Sequence, residues 1–176
     1  LARHKKTIRI WCAGCATGEE PYSIAILAHE LTALRRDLNV TVYATDIDTG
    51  ALQKAMAGIY DEKALENVDR RRIRKHFICR DDGTFEVRSH IRDFVKFRQH
   101  DLMSGVPIVR YLDVVTCRNV TIYFAEEQKN ELARLFYSAL AADGYYIMGK
   151  TEYLGREVEH LFTPYNIAQK ILRKAV

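Results

Sequence analysis

Trp11-Cys12-Ala13-Gly14-Cys15-Ala16-Thr17-Gly18-Glu19-Glu20-Pro21-Tyr22 is the stretch that decides the fold. The β-branched residues Thr7, Ile8 and Ile10 lead into small residues and glycine, and an amphipathic helix begins at once. A strand, a tight glycine turn and a helix start make the cofactor cradle of open α/β sheets. Glycine lets the backbone approach a ligand closely, and the first helical turn offers unpaired N–H groups. Here the turn opens onto Glu19 and Glu20, whose carboxylates oppose a pyrophosphate and suit a cation. A sulfonium cofactor such as S-adenosylmethionine therefore fits better than a nicotinamide dinucleotide. The dinucleotide fingerprint needs Gly-x-Gly-x-x-Gly, and this loop has only Gly14 and Gly18.

Outward from that stretch, strand and helix patterns alternate, which predicts an α/β fold with a mostly parallel sheet covered on both faces. The first strand is expected over residues 7–12. The helix after it carries Ile24, Leu27, Ala28, Leu31 and Leu34 as an apolar stripe of 3.6-residue period, and Thr17 with Glu20 fits a capping box. A strand over 40–45 ends at Asp46 and a helix over 49–57 follows. Residues 58–93 break the rhythm. Gly58-Ile59-Tyr60 closes the helix, a basic helix spans 68–76, and 77–87 reads as a hairpin about Asp82-Gly83. Together these predict a small antiparallel insertion, at about 77–93, on the main sheet. Strands are expected at 94–98 and 112–117, the latter nearly continuous in apolar residues as a central parallel strand should be. A helix over 126–141 turns Leu132, Leu135, Phe136, Ala139 and Leu140 inward; Asp143-Gly144 ends it before a strand at 145–149. The tail, 165–173, is expected to form a single last strand beside that one, after an irregular connection over 151–164.

A chain of 176 residues suits one domain with a real core, and 48% hydrophobic with 28% charged residues is ordinary for a soluble globular protein. No apolar run approaches a membrane span and no signal peptide is visible, so a cytoplasmic protein without membrane insertion is expected. The net charge of +4, from 27 basic and 23 acidic residues, is mild. Arg70, Arg71, Arg72, Arg74 and Lys75 cluster, either as a solvated helix face or as a landing patch for an anionic protein. Nucleic acid is not an expected partner: aromatic and basic residues do not interleave, and the Asn-Pro-Pro-Tyr type tetrapeptide of amino-directed methyltransferases is absent. Cys12 and Cys15 have zinc-like spacing but no second Cys or His pair follows usefully, so no metal is expected; Cys12 and Cys117 sit at strand ends as small hydrophobes. The histidines are scattered and form no Ser-His-Asp or Cys-His pattern.

Two acids follow the second strand. An acid in that position accepts hydrogen bonds from the ribose hydroxyls of an adenosine cofactor, which makes Asp46 a candidate, while Asp46 or Asp48 can instead cap the next helix, so that one caps and the other binds. Arg118, Asn119 and Tyr123 follow the central strand, at the edge where open sheets bind ligands. Asn119 can meet a polar cofactor end there, and the fork of Arg118 matches a substrate carboxylate.

Four motifs in order resemble the CheR family of chemotaxis receptor methyltransferases. They are Trp-Cys-Ala-Gly-Cys-Ala-Thr-Gly-Glu-Glu-Pro-Tyr-Ser (11–23), Ala-Thr-Asp-Ile-Asp (44–48) with Gly-Ile-Tyr soon after, His-Asp-Leu (100–102) and Cys-Arg-Asn-Val-Thr-Ile-Tyr-Phe (117–124). The resemblance covers nearly the whole chain. It implies the Rossmann-like fold of S-adenosylmethionine-dependent methyltransferases, with an antiparallel last strand in a mostly parallel sheet. It also implies methyl transfer to glutamate side chains in the cytoplasmic domain of methyl-accepting chemotaxis receptors, releasing S-adenosylhomocysteine. By the same resemblance Ala13 and Gly14 line the cofactor loop and Glu20 contacts the methionine end. Asp101 and Leu102 flank the adenine, Asn119 lies near the methionine moiety, and Tyr123 stands beside the transferred methyl. A plain N-cap remains open for Asp101. Family members usually begin with a helical domain, so this chain is expected to be the catalytic domain of a longer protein. The competing reading is a cofactor-binding sensory or interaction module without turnover.

Overall fold

The computed structural model describes residues 5–175, and of Tyr123 only the backbone. In chain order the elements are β1 (Thr7–Ala13), α1 (Glu19–Leu34), β2 (Asn39–Asp46), α2 (Thr49–Ala57), β3 (Ile59–Tyr60), α3 (Arg70–His76), β4 (Phe77–Cys79), β5 (Phe85–Val87), α4 (Ser89–Arg92), β6 (Val95–Gln99), β7 (Leu112–Cys117), α5 (Glu126–Ala139), β8 (Leu140–Met148), β9 (Phe162–Asn166) and β10 (Ile171–Lys174). A seven-stranded sheet has the order β6-β2-β1-β7-β8-β10-β9. Its first five strands are parallel, while β10 runs antiparallel to both β8 and β9. This is the mixed sheet that the alternating pattern predicts.

Side chains alternate across β1, so the two faces build separate cores. Trp11 joins Val115, Cys117, Leu132, Phe136 and Tyr146 in the core beneath α5, with the Trp11 and Phe136 rings 5.4 Å apart edge to face. Ile8 and Cys12 point the other way, toward cores built with Ala28, Val40, Val42 and Leu52. Among the described residues, no helix is long and apolar enough to cross a membrane.

Several local expectations need correction. The tail forms two strands, not one: β9 and β10 make a hairpin whose turn is fixed by Gln169 N–H donating to Asn166 Oδ1 and by Lys170 at a φ of 52°. Pro164 sits in β9, an edge strand, where the missing N–H costs no ladder bond. Asp143-Gly144 does not terminate the helix. Helix α5 ends at Ala139, and the four residues after Leu140 bulge out of β8, since β7 advances from Leu112 to Val114 while β8 advances from Leu140 to Tyr145. The Thr17–Glu20 capping box does not form. Gly18 occupies the N-cap with a φ of 95°, and the Thr17 hydroxyl donates to Glu19 instead. The buried face of α1 is Tyr22, Ala25, Ile26 and Ala28; Leu27 and Leu34 are exposed, because the helix packs against both the sheet and the insertion.

The insertion is a separate three-stranded antiparallel sheet of order β3-β5-β4, not an extension of the main one. Ile59 and Tyr60, expected only to close α2, supply its first strand. The Asp82-Gly83 hairpin is as predicted, with Gly83 at a φ of 81°. Tyr60, Phe77, Val87 and Ile91 share one core with Tyr22 and Ile26 of α1, which moors the insertion to that helix.

Candidate functional site

The five parallel strands end at one edge of the sheet, so the segments after β1, β2, β6, β7 and β8 meet there. The chain proceeds from β1 to β2 on one side, while β7 lies on the other, and the crevice between the β1 and β7 loops is the topological switch point where open sheets bind ligands. The two loops touch closely. A Cβ on Gly14, whose φ is 79°, would collide with the side chain of Val120, so only glycine fits.

The glycine loop is held from the end of β2. The N–H groups of Gly14 and Cys15 both donate to the carbonyl of Thr45, at 2.8 and 2.9 Å. Asp46 then closes the curl: its Oδ2 accepts from Ala16 N–H at 2.8 Å and its Oδ1 from Asp48 N–H at 3.0 Å. A carboxylate offers about four acceptor sites, so two remain after those bonds. Asp48, and not Asp46, caps α2, accepting from the N–H groups of Gly50 and Ala51. Asp101 caps the short turn after β6 through Met103 N–H, and its carboxylate also keeps acceptor sites in reserve.

Gly14, Asp46, Asp101, Leu102, Arg118 and Asn119 together line one cleft of about 460 Å³. That is within the range of about 300–1,000 Å³ of small-molecule sites. Ala16, Ile47, His100, Met103, Val120 and Phe124 complete its walls, largely apolar around a few polar groups. The fixed charges are the carboxylates of Asp46 and Asp101 against the single guanidinium of Arg118. His100 stays neutral because burial lowers its pKa. The cleft therefore favours a ligand that is apolar over much of its surface, offers hydroxyl donors and carries positive charge. Asn119 takes its place there through a φ of 62°, a left-handed conformation that asparagine tolerates better than most residues.

Two predicted residues lie elsewhere. Ala13 is buried at the end of β1 and lines no part of the cleft. Glu20 lines a neighbouring groove of about 560 Å³, between α1 and the exposed face of β8 and β10, together with Ile24, Leu27, Ile147, Lys150 and Ile171. Arg118 borders both hollows and pairs with Glu20 at 3.3 Å between Nη1 and Oε2. The side chain of Tyr123 lies outside the described residues.

Two contributors escape sequence reasoning. Glu152 is 3% exposed and braces the site from behind. It accepts from the N–H groups of Val120, Thr121 and Gly149 and from the Thr121 hydroxyl, tying the loop after β7 to the end of β8. Nothing in Lys150-Thr151-Glu152-Tyr153 announces a buried carboxylate. His100, read only as part of a motif, stacks edge to face on Trp11, with ring centroids 5.6 Å apart. The cysteines form no reactive centre. Burial pushes Cys12 and Cys117 upward, and burial with the nearby Asp46, Glu20 and Glu19 carboxylates pushes Cys15 to about 12, so all three stay thiols at neutral pH.

Comparison with known proteins places these features in a family. The family profile described as "CheR methyltransferase, SAM binding domain" matches residues 1–171. "Chemotaxis protein methyltransferase 2" of Vibrio cholerae is 34% identical over 160 residues, covering 89% of this chain and 56% of the relative. "Chemotaxis protein methyltransferase" of Borreliella burgdorferi is 38% identical over 154 residues, covering 86% and 54%. The chain thus spans about half the length of the curated relatives it matches. Among solved structures, a TehB-like SAM-dependent methyltransferase from Corynebacterium glutamicum aligns over 95% of this chain and 78% of its own, with a TM-score of 0.52 and 15% identity. A complex titled "DhpI-SAH" aligns over 97% and 60%, with a TM-score of 0.52 and 14% identity. At that identity the likeness is one of fold.

Proposed function

The chain belongs to the CheR methyltransferase family, and on that premise we propose that it holds S-adenosylmethionine in the cleft beyond β1, β2, β6 and β7 and methylates glutamate carboxylates in the cytoplasmic part of chemotaxis receptors. Residues 1–176 act as one methyltransferase domain, with the inserted β subdomain on its flank. The observation that carries the reading is the convergence of Gly14, Asp46, Asp101, Leu102 and Asn119, from four separate sequence motifs, on a single hollow.

Bound S-adenosylmethionine supplies an electrophilic methyl on a cationic sulfur, which a carboxylate oxygen takes while the carbon–sulfur bond breaks and S-adenosylhomocysteine is left. The chain's own residues bind and align. Asp46 retains acceptor sites for a ribose diol, and Gly14, with Ala13 buried behind it, keeps the loop narrow enough for the backbone to approach. Asp101 and Leu102 present an acceptor beside an apolar surface, the pair of features an adenine amino group and ring require. Glu20 and Asn119 serve the amino-acid end, and Tyr123 the position next to the methyl.

No general base is needed. A glutamate has a pKa of about 4.3 and is already an anion at neutral pH. This suits a cleft whose one histidine among the described lining residues, His100, is held neutral. Positioning is then the main resource, and alignment of reactants can supply about 7–11 kcal/mol. Arg118, bordering both hollows, orients the incoming carboxylate with its fork.

The test is calorimetric titration with S-adenosylhomocysteine, followed by transfer of labelled methyl to receptor cytoplasmic fragments by the full-length protein. Saturable binding with base-labile label on the receptor supports the reading. Binding without transfer would leave a sensory module, and no binding would remove the cofactor assignment.

A further inference from the structure

Three histidines far apart in sequence meet outside the cleft. His29 comes from α1, His76 ends α3 and His90 lies in α4. One ring nitrogen from each falls within 4.8 Å of the others, and His76 Nδ1 stands 3.1 Å from His90 Nε2. The three ring centroids are separated by 5.2, 4.9 and 5.4 Å, a nearly equilateral arrangement. Imidazoles bound to one tetrahedral ion at about 2.0–2.1 Å hold their nitrogens about 3.3 Å and their centroids about 5.2 Å apart. The trio is therefore close to ligation geometry before any ion is added.

A second observation points the same way. The buried Nδ1 of His29 has no hydrogen-bond partner among the described residues. Buried polar nitrogens are normally satisfied, so an orphan inside this cluster is unusual. Of the charged groups around the cluster, Lys75 and Arg88 oppose a cation and Glu30 and Asp93 favour one, while Arg72 is already paired with Glu30. His29 and His90 are only partly buried, which leaves access for an ion and for water as a fourth ligand.

We infer that His29, His76 and His90 form a binding site for a first-row divalent transition ion of the zinc type. Three imidazoles without a carboxylate or thiolate suit zinc, copper and nickel, not calcium or magnesium. The site bridges α1, which starts at the cofactor loop, to the α3–α4 insertion, so the ion acts as a staple between the methyltransferase core and its inserted subdomain. It is independent of the cleft and takes no part in methyl transfer.

The test uses the whole chain, treated with EDTA and dialysed. Titration with zinc chloride should give one saturable site, a raised melting temperature, and, with cobalt chloride, the visible absorption of a tetrahedral ion. The partly exposed ligands carry the comparison, because substituting the buried His76 risks the fold. His29→Gln and His90→Gln should each weaken zinc by at least about tenfold and abolish the thermal gain, while His160→Gln, on another surface, should change neither. Absence of stoichiometric zinc or cobalt binding by the wild type overturns the site. So does zinc affinity that survives the His29→Gln, His90→Gln double variant.

Discussion

Arg118 Nη1 lies 3.3 Å from Glu20 Oε2, so one ion pair joins the loop after β7 to the first turn of α1 and forms the ridge between two hollows. Both side chains remain substantially exposed, at 44% and 30%. Such a pair adds little to stability and yields readily to a competing anion. An incoming carboxylate can therefore take the guanidinium without a folding cost.

That relationship gives the first prediction. Arg118→Ala in the full-length protein should lower kcat/KM for the receptor by about tenfold or more, with the melting temperature unchanged. Arg118→Lys should rescue it only in part, because an ammonium cannot present two parallel donors. Steady-state methyl transfer beside a thermal melt decides it; full activity in Arg118→Ala removes the orienting role.

Asp46→Ala should weaken S-adenosylhomocysteine by more than about tenfold, or about 1.4 kcal/mol. It removes the ribose acceptor and also frees Ala16 N–H, so the loop loses its clasp. Isothermal titration reads the affinity, and an unchanged value would end the ribose assignment.

Glu152→Ala leaves the N–H groups of Val120, Thr121 and Gly149 buried without their acceptor. At about 1–3 kcal/mol for each stranded group, the loss is about 3 kcal/mol or more. For a domain of this size that lowers Tm by about 6–12 °C. Calorimetry measures it, and a drop of a degree or less would show the carboxylate to be dispensable.

His76 gives stability a pH dependence in the metal-free protein. Its pKa is about 4 when folded, against about 6.5 in an unfolded chain. Between those values the unfolded chain binds more protons, so stability is intact above about pH 6.5, falls as the pH drops toward 4, and levels below that. Urea midpoints across this window should decline more steeply for wild type than for His76→Gln. Parallel curves would sink the assignment.

The basic helix divides into two roles. Arg72 is bound to Glu30 through Nε and Nη2, at 2.8 and 2.7 Å, whereas Arg71 and Arg74 are exposed. Arg71→Glu with Arg74→Glu should slow receptor methylation at low salt and converge on wild type at high salt. Rates level at all ionic strengths would reduce the patch to a solvated face.

Local chemistry made the parallel half of the sheet readable in the sequence. The apolar run of β7, the glycine turn after β1 and the Asp82-Gly83 hairpin each impose a conformation on their own neighbours. What could not be read depends on partners distant in the chain. Leu34 fits the helical stripe yet is 85% exposed, because the second neighbour of α1 is the insertion and not more sheet. The Thr17–Glu20 pair matches a capping box, but the N-terminal geometry is set by Gly18, which packs against Ala55 and Tyr60 from other elements. The cleft residues were legible because each follows a strand. Glu152 and the trio of His29, His76 and His90 were not, since their meaning lies wholly in long-range contacts.

The slot between β8 and β9 is filled by β10, the last strand of the sheet to be synthesised. Until β10 is made, β8 and β9 have no strand to join them, and both expose unpaired backbone along that seam. A nascent chain arrested before Ile171 cannot be almost finished; it is a sheet with a gap in its interior. Synthesis of residues 171–174, more than any earlier step, is when this sheet becomes safe from aggregation.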